Sequence, residues 1–292
     1  MSTGRPISRR AALLGSLAAA GGGCLAFEEG LLPGRHRLNS ALGLGGADSG
    51  LPAVPAGKKV SGRFVSARRL GRGCGYTIAY PNGAAERIPV AVVLHARAVD
   101  HRAAFSQLGL DRFLTAGGHR FAVASVDGGD TYWHRRASGE DAGAMVIEEF
   151  LPILRAHGLD TRRLALLGWS MGGYGALWLA GVLGAAKVAA TAALSPALWH
   201  RPGQTAPGAF DDPADFAAHD VFSHAPALAG IPVRVDCGTE DGFCPAARDY
   251  VRLLRSDPGP APAGEFTPGG HAVAYWRRAV PGQLAFLAEQ LG

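Results

Sequence analysis

Five apolar runs of strand length constrain the fold of this 292-residue chain more than any other feature. None of them alternates apolar with polar residues, as a strand does when one of its faces meets water. In chain order they cover residues 90–95, 121–126, 164–168, 188–194 and 231–237. Uninterrupted apolar strands of this kind are typical of a parallel sheet that is covered on both faces.

Stretches with helical character lie between and after these runs. They cover residues 102–116, 142–157, 172–183, 245–255 and 281–291. Two short β-prone runs, 64–70 and 76–80, precede them and predict a hairpin. Strands that alternate with helices indicate an α/β fold of the α/β-hydrolase type, with a mostly parallel central sheet and helices on both faces.

The composition is that of one large domain with a basic arm. Apolar residues make up 48% of the chain and charged residues 18%, which excludes a disordered chain. Residues 1–60 hold seven Lys and Arg against three Asp and Glu, whereas the rest of the chain is almost neutral. Because the excess charge belongs to the arm, we expect no nucleic-acid partner.

The N-terminal segment resembles an export signal. Arg9 and Arg10 stand directly before an uncharged run over residues 11–27, and this order predicts a twin-arginine-like signal or an N-terminal anchor over residues 1–27. An ordinary secretory signal and lipidation at Cys24 are the alternatives. We therefore expect a secreted or cell-envelope protein whose N-terminal segment allows membrane association. Residues 28–62 read as a flexible arm, and residues 63–292 as the α/β domain.

A nucleophile motif follows the third of the five apolar runs. Residues 168–172 read Gly-Trp-Ser-Met-Gly, with a strand before them and a helix after them. In that context Ser170 is held exposed at the end of the sheet, and the Met171 N–H becomes an oxyanion donor. The alternative is a tight turn that serves packing alone.

A serine hydroxyl needs an imidazole to accept its proton and a carboxylate to orient that imidazole. In α/β hydrolases both partners follow the serine along the chain. Asp241 lies in a loop after the run 231–237 and is our candidate acid, with Glu240 as the alternative and Asp236 as a strand-end residue. His271 lies on a glycine-rich loop after the short run 265–267, which we take as the last strand, and is the candidate base.

The remaining histidines carry weaker signals. His200, His219 and His224 lie in the Pro- and Asp-rich segment 199–226, which reads as a lid or insertion. The pair His219–Asp220 lacks further ligands at metal-binding spacing, and no C-x-x-C or H-E-x-x-H motif occurs. We therefore expect neither a metal nor another cofactor.

Taken together, segments 125–134, 168–177, 238–243 and 270–271 resemble the putative-esterase family of α/β hydrolases, over roughly residues 61–292. That family includes S-formylglutathione hydrolases, siderophore esterases and mycolyltransferases. The resemblance implies a Ser170–His271–Asp241 triad. It also implies a second oxyanion N–H in the loop of His95 and Ala96.

The resemblance further implies that Tyr132 and Trp133 line the acyl or alcohol pocket. One departure concerns the oxyanion loop, where many relatives have His-Gly-x-Gly and this chain has His-Ala-Arg-Ala over residues 95–98. Alanine is strained at positive φ, so either the loop keeps ordinary dihedral angles or the oxyanion hole is imperfect. In the second case we expect Arg97 to reach the substrate instead.

Three functions are compatible with these features. The leading one is a serine esterase that cleaves a small-molecule or lipid ester through an acyl-enzyme. The second is an acyltransferase that passes the same acyl group to a sugar or lipid alcohol, and the third is a non-catalytic binding protein on the same scaffold. The sequence carries no signal for an oligomeric state.

Two cysteines bracket the candidate acid. Cys237 ends the strand before Asp241 and Cys244 begins the next helix. In an exported protein the pair could form a disulfide. The alternative, which we favour, is two small buried thiols, because free cysteine is among the most buried residue types.

Overall fold

A computed structural model describes residues 50–83, 87–256 and 259–292. Within these residues the chain forms an eight-stranded sheet in the order β1-β2-β4-β3-β5-β6-β7-β8. The strands are β1 (Lys59–Ser66), β2 (Arg72–Ala79), β3 (Ile88–Leu94), β4 (Ala122–Val126), β5 (Leu159–Trp169), β6 (Val188–Leu194), β7 (Val233–Gly238) and β8 (Phe266–Thr267). The first two pairings, β1 with β2 and β2 with β4, are antiparallel, and all the others are parallel.

Helices cover both faces of the sheet. They are α1 (Ala103–Ser106), α2 (Leu110–Ala116), α3 (Ala142–Ala144), α4 (Leu151–Ala156), α5 (Met171–Leu183), α6 (Pro213–His219), α7 (Cys244–Ser256) and α8 (Val273–Leu291). One core cluster joins α4, α5 and α7 to the sheet, and a second joins α1, α2 and α8 to it. The predicted mostly parallel sheet with helices on both faces is confirmed. Among the described helices, none is both long and apolar enough to cross a membrane.

The terminal helix begins earlier than predicted. The sequence predicts its start at residue 281. Instead α8 begins at Val273 and contains Pro281 in its interior. The turns before the proline bury Tyr275, Trp276 and Val280 against the core, and this burial offsets a proline cost of about 3 kcal/mol.

The N-terminal hairpin is present but lies closer to the N-terminus than predicted. β1 takes in residues 59–62, which were assigned to the arm, while the export segment 1–27 and most of the arm lie outside the described residues. Gly73 and Gly75 lie inside β2 rather than in the turn. A Cβ on Gly75 would come within 2.5 Å of the His101 ring, which is held by a hydrogen bond to Asp127, so close approach explains this glycine.

Candidate active site

Ser170 lies at the turn between β5 and α5 in a strained backbone conformation, with φ 55° and ψ −121°. Its flanking glycines make the turn possible. A Cβ on Gly168 would lie 1.9 Å from the Gly172 carbonyl oxygen, and a Cβ on Gly172 would lie 1.9 Å from the Leu94 carbonyl oxygen. The turn is therefore pressed against the end of β3, and the Ser170 side chain is left half-buried at the carboxyl edge of the sheet.

The three predicted residues form one continuous hydrogen-bonded chain. His271 Nδ1 lies 2.8 Å from Asp241 Oδ2, and His271 Nε2 lies 2.8 Å from Ser170 Oγ. A carboxylate can only accept, so Nδ1 carries the proton and the lone pair of Nε2 faces the serine hydroxyl. This tautomer is the one that can remove a proton from Ser170.

Asp241 is held in its ionised form. Burial of its side chain, which has no exposed surface, would by itself raise the pKa. The charge and hydrogen bond of His271 oppose this, and Asp241 Oδ1 accepts the Phe243 N–H at 3.0 Å. The net result is a pKa below the ordinary value, so the carboxylate can stabilise an imidazolium beside it.

The alternative acid, Glu240, does not contact the histidine ring. Its carboxylate accepts hydrogen bonds from the Gly269 N–H and from Thr239 Oγ1, and its own N–H donates to the Gly269 carbonyl oxygen at 3.0 Å. Glu240 therefore connects the loop of the acid to the loop of the base. Asp236 is buried elsewhere, where it accepts two hydrogen bonds from Arg234.

The predicted oxyanion donors lie at the start of α5 and in the loop after β3. Met171 is the first residue of α5, so its N–H precedes the first intrahelical hydrogen bond. Across the site, the His95 ring is fully buried. Its Nδ1 donates a hydrogen bond to the Ala96 carbonyl oxygen at 2.7 Å, and its Nε2 accepts one from the Gly128 N–H. Burial lowers the pKa of His95, which matches a neutral ring that shapes the loop.

The two alanines that replace glycine in this loop behave differently. Ala96 has no left-handed φ, whereas Ala98 adopts φ 61°. The strain at Ala98 is offset by a hydrogen bond from its N–H to Asp130 Oδ1 at 2.7 Å. Arg97, between them, is exposed on the loop.

The interpretation of Trp133 as a pocket residue needs correction. Its ring has no exposed surface, and its Nε1 donates to the His95 carbonyl oxygen at 3.4 Å. Cβ atoms on Gly128 or Gly175 would each come within 2.4 Å of this ring, so those glycines make room for it. Trp133 therefore supports the oxyanion loop from the core, and Tyr132 is almost as deeply buried.

The sequence analysis missed three aromatic residues around the candidate base. The buried Trp276 ring, in α8, lies 5.0 Å from the His271 ring. The Phe243 ring lies 5.2 Å from the His271 ring, and Trp199 packs edge-on against Phe243 at 5.4 Å. Both are half-buried and so present apolar surface next to the reacting groups. The only signals were that Phe243 stands two residues after Asp241 and that Trp199 opens the segment expected to form a lid.

A second cluster of titratable groups lies behind this aromatic surface. Asp215 Oδ2 lies 3.3 Å from His134 Nε2, and Asp215 Oδ1 lies 2.8 Å from His219 Nδ1. The two rings are stacked, with centroids 4.3 Å apart, and one ligand atom from each of the three side chains lies within 4.8 Å of the other two. The sequence analysis considered His219 and Asp220 as a possible metal-binding pair. In the structure the Asp220 carboxylate instead accepts hydrogen bonds from the Phe222 N–H and the Ser223 hydroxyl.

The sequence matches a known protein family. The family described as putative esterase matches residues 70–287. This chain belongs to the putative-esterase family. It is accordingly an esterase-type hydrolase, and the family resemblance found in its motifs is confirmed. No curated protein is significantly similar to this sequence.

Solved structures of low sequence identity share the fold. A ferulic acid esterase superposes with a TM-score of 0.69 at 18% identity, over 80% of this chain and 98% of its own. An S-formylglutathione hydrolase (FrmB) from Staphylococcus aureus gives 0.66 at 17% identity, over 79% and 98%. MPT51 (FbpC1) of Mycobacterium tuberculosis gives 0.64 at 18% identity, over 82% and 100%.

Proposed function

We propose that this esterase-family protein hydrolyses a carboxylic ester through an acyl-enzyme on Ser170, with His271 as base and Asp241 as the acid that orients it. The observation that supports this most strongly is the hydrogen-bonded chain from Asp241 through His271 to Ser170, with both contacts at 2.8 Å. Activation by an adjacent base is what a serine hydroxyl requires to become a nucleophile.

The reaction proceeds in two halves. Ser170 Oγ attacks the ester carbonyl carbon while its proton passes to His271 Nε2, and the Met171 N–H with an N–H of loop 95–98 stabilises the oxyanion. His271 then protonates the leaving alcohol as the ester C–O bond breaks. Water repeats the sequence on the acyl-enzyme, releasing the acid and restoring Ser170.

The aromatic surface of Phe243 and Trp199 faces the apolar part of the ester. Aromatic rings beside a reacting centre favour substrates that bury apolar or aromatic area against them. Because the surface adjoins His271, we propose a small-molecule or lipid ester with an apolar group near the scissile bond. A series of p-nitrophenyl esters of increasing acyl length, including aryl esters, measures this preference, and truncating Trp199→Ala should flatten it.

A fluorophosphonate probe tests the nucleophile directly. We expect covalent labelling at Ser170, no labelling of Ser170→Ala, and undiminished labelling of Arg162→Gln, whose exposed side chain lies near the start of β5 and away from Ser170. A folded protein that resists the probe and cleaves none of the esters would instead support the binding-protein alternative.

The acyltransferase alternative uses the same acyl-enzyme with an alcohol in place of water. It is favoured by the half-exposed apolar surface next to His271, which suits an acyl chain that must be kept from hydrolysis, and by the fold shared with MPT51. Product analysis with an added sugar or lipid alcohol separates the two. An ester product that outweighs free acid would identify a transferase.

We also propose that the protein is exported, on the strength of Arg9, Arg10 and the uncharged run that follows them. Cell fractionation of the full-length chain, compared with an Arg9→Lys/Arg10→Lys variant, tests the route. Export that survives the double substitution would favour an ordinary secretory signal.

A further inference from the structure

Helix α7, which follows the loop of the proposed acid, borders a cavity that the proposed ester chemistry does not use. The helix begins at Cys244, which like Cys237 is a buried free thiol, the alternative favoured from the sequence. Further along α7, Tyr250 lines a cavity of about 120 Å³ that the helix shares with α5 and segment 221–227. The other walls of the cavity include Leu177, Trp178, Val182, Val221 and Ala227.

This cavity is separate from the candidate active site. The residues of α5 that line it begin at Leu177, which stands well after Ser170 on the same helix, and extend to Val182. At a rise of about 1.5 Å per residue, the stretch from Ser170 to Leu177 spans about 10 Å. None of the three proposed catalytic residues lines the cavity, so a molecule bound there leaves the reacting groups free.

The Tyr250 side chain brings an unpaired hydroxyl to the cavity. Tyr250 is 1% exposed, and its ring packs edge-on against Phe222 at 5.2 Å. In the part of the chain that the structure describes, no group forms a hydrogen bond with its hydroxyl, yet this oxygen is not sealed off as the unpaired Nε1 of Trp169 is. Because a buried tyrosine hydroxyl normally has a partner, the cavity presents a donor that an occupant can use.

The Trp178 ring forms a fixed wall of the cavity. It makes edge-on contacts with the His219 ring at 5.0 Å and with the His224 ring at 5.2 Å. His224, which also lines the cavity, is held in turn because its Nδ1 donates to the Asp220 carbonyl oxygen at 2.8 Å. A wall that is already in place needs little ordering when a ligand packs against it.

The size and the chemistry of the cavity limit what can occupy it. An apolar cavity of about 150 Å³ binds benzene and stays free of water, because a water molecule needs two to four polar partners. The cavity here has a similar volume and mostly apolar walls, so one six-membered ring fits it. Among the described residues no Lys, Arg, Asp or Glu lines it, so a charged ligand would lose its hydration without gaining a counter-charge.

We propose that this cavity is a binding site for an uncharged phenol, that is, a single aromatic ring that bears a hydroxyl group. The ring packs between Trp178 and the aliphatic side chains of Leu177 and Val221, and the phenol oxygen accepts a hydrogen bond from Tyr250. Binding is reversible and forms no covalent bond. The proposal goes beyond ester hydrolysis and does not depend on it.

Calorimetric titration of the full-length protein with phenol tests the contact with the hydroxyl. We expect one-to-one binding that is weakened about fivefold in Tyr250→Phe, because one neutral hydrogen bond is lost. Toluene, which has a similar size and no oxygen, should bind the parent protein and Tyr250→Phe equally well. Equal phenol affinities in the two proteins, or no binding of phenol at up to about 10 mM, would overturn the proposal.

Filling the cavity tests the location of the ligand. Ala227 is exposed at the edge of the cavity, so Ala227→Leu adds carbon atoms there without disturbing the core. Ala186→Leu is the matched control, at an exposed position after α5 that does not line the cavity. We expect phenol to bind about tenfold more weakly to Ala227→Leu and unchanged to Ala186→Leu, with thermal unfolding as the folding control. An unchanged affinity in Ala227→Leu would refute the assigned location.

The aromatic surface beside His271 is the competing location for phenol. The titrations can be made in Ser170→Ala, in which the proposed ester chemistry is absent, so a failure of the proposed function does not affect them. Trp199→Ala should keep the phenol affinity of the parent protein. Binding that is lost in Trp199→Ala and retained in Ala227→Leu would place phenol at the candidate active site, which refutes this proposal and leaves the proposed function standing.

Discussion

At the scale of single residues, Ser170 combines reactivity with backbone strain. A residue other than glycine at φ 55° and ψ −121° costs on the order of 1–3 kcal/mol, which the packing of the turn against β3 must supply. The same turn places the hydroxyl 2.8 Å from His271. The strain and the proposed nucleophilic role thus have one structural cause.

Removing the hydroxyl should abolish turnover with little effect on folding. For Ser170→Ala we expect kcat to fall by about 10⁶, as in a comparable triad where the members act as a unit. Steady-state kinetics on the best p-nitrophenyl ester, with thermal unfolding as the folding control, measures both. Residual activity above a hundredth of the parent value would exclude Ser170 as nucleophile.

The two neighbouring carboxylates should respond very differently. Asp241→Asn presents the wrong hydrogen-bonding group to His271 Nδ1, and we expect a loss of about 10⁴ in kcat. Glu240→Gln keeps an acceptor for the Gly269 N–H and should lose far less. If the Gln variant were the more damaged of the two, the acid would have to be reassigned to Glu240.

Which site residues the sequence could predict depends on how local their signals are. Ser170 stands in a motif that the strand and helix around it make specific, and Asp241 and His271 follow from chain order. Trp199 could not be found in this way, because it reaches His271 only through Phe243 and the tertiary packing of a long segment. Trp133 was misread because a sequence motif does not show which of its side chains face the core.

At the scale of elements, the loop after β3 shows how backbone geometry and residue type can disagree. Two positions at which relatives have glycine are alanine here, yet only Ala98 takes a left-handed φ. Ala96, with an ordinary φ and a buried side chain, fits its position without strain. The sequence alone could not show which of the two alanines adopts the left-handed φ, because that depends on the path of the loop backbone toward Asp130.

Glycine substitutions in this loop should have opposite effects. Ala98→Gly relieves a left-handed alanine and should stabilise the protein by about 0.5–1 kcal/mol, whereas Ala96→Gly should destabilise it by about the same amount through unfolded-state entropy. Urea unfolding of the two single variants measures both shifts. Equal shifts of the same sign would show that the loop does not hold these dihedral angles.

At the scale of the whole molecule, polar contacts attach segment 199–226 to the rest of the domain. Arg136 forms an ion pair with Asp211 at 2.7 Å and donates to the Gly208 carbonyl oxygen at 2.9 Å. Nearby, the buried His134 ring lies 3.3 Å from Asp215 of α6. Burial, and then the neighbouring His219, lower the pKa of His134 to about 4.

The lowered pKa of His134 predicts that the folded protein loses stability in acid. As pH falls below about 6.5 the unfolded chain takes up a proton on His134, whereas the folded protein does so only near pH 4. Stability is therefore fully present above pH 6.5 and is lost between about pH 6.5 and 4, by about 3 kcal/mol from this group. Urea unfolding at pH 7 and pH 4.5 measures the loss.

Two variants isolate the contribution of this histidine. His134→Gln should reduce the difference in unfolding free energy between the two pH values. Gln204→Ala, at an exposed residue of the same segment that does not titrate, should leave it as in the parent protein. An unchanged difference in His134→Gln would place the acid sensitivity elsewhere.

The placement of Trp199 has an evolutionary consequence. The three proposed catalytic residues all stand at ends of sheet strands or in the loops that follow them. The aromatic surface beside them depends partly on a segment that adds no strand to the sheet. Such a segment can be lengthened, shortened or exchanged without altering the strand ends that position the reacting groups. A change in that segment can therefore alter substrate preference without moving the proposed catalytic residues.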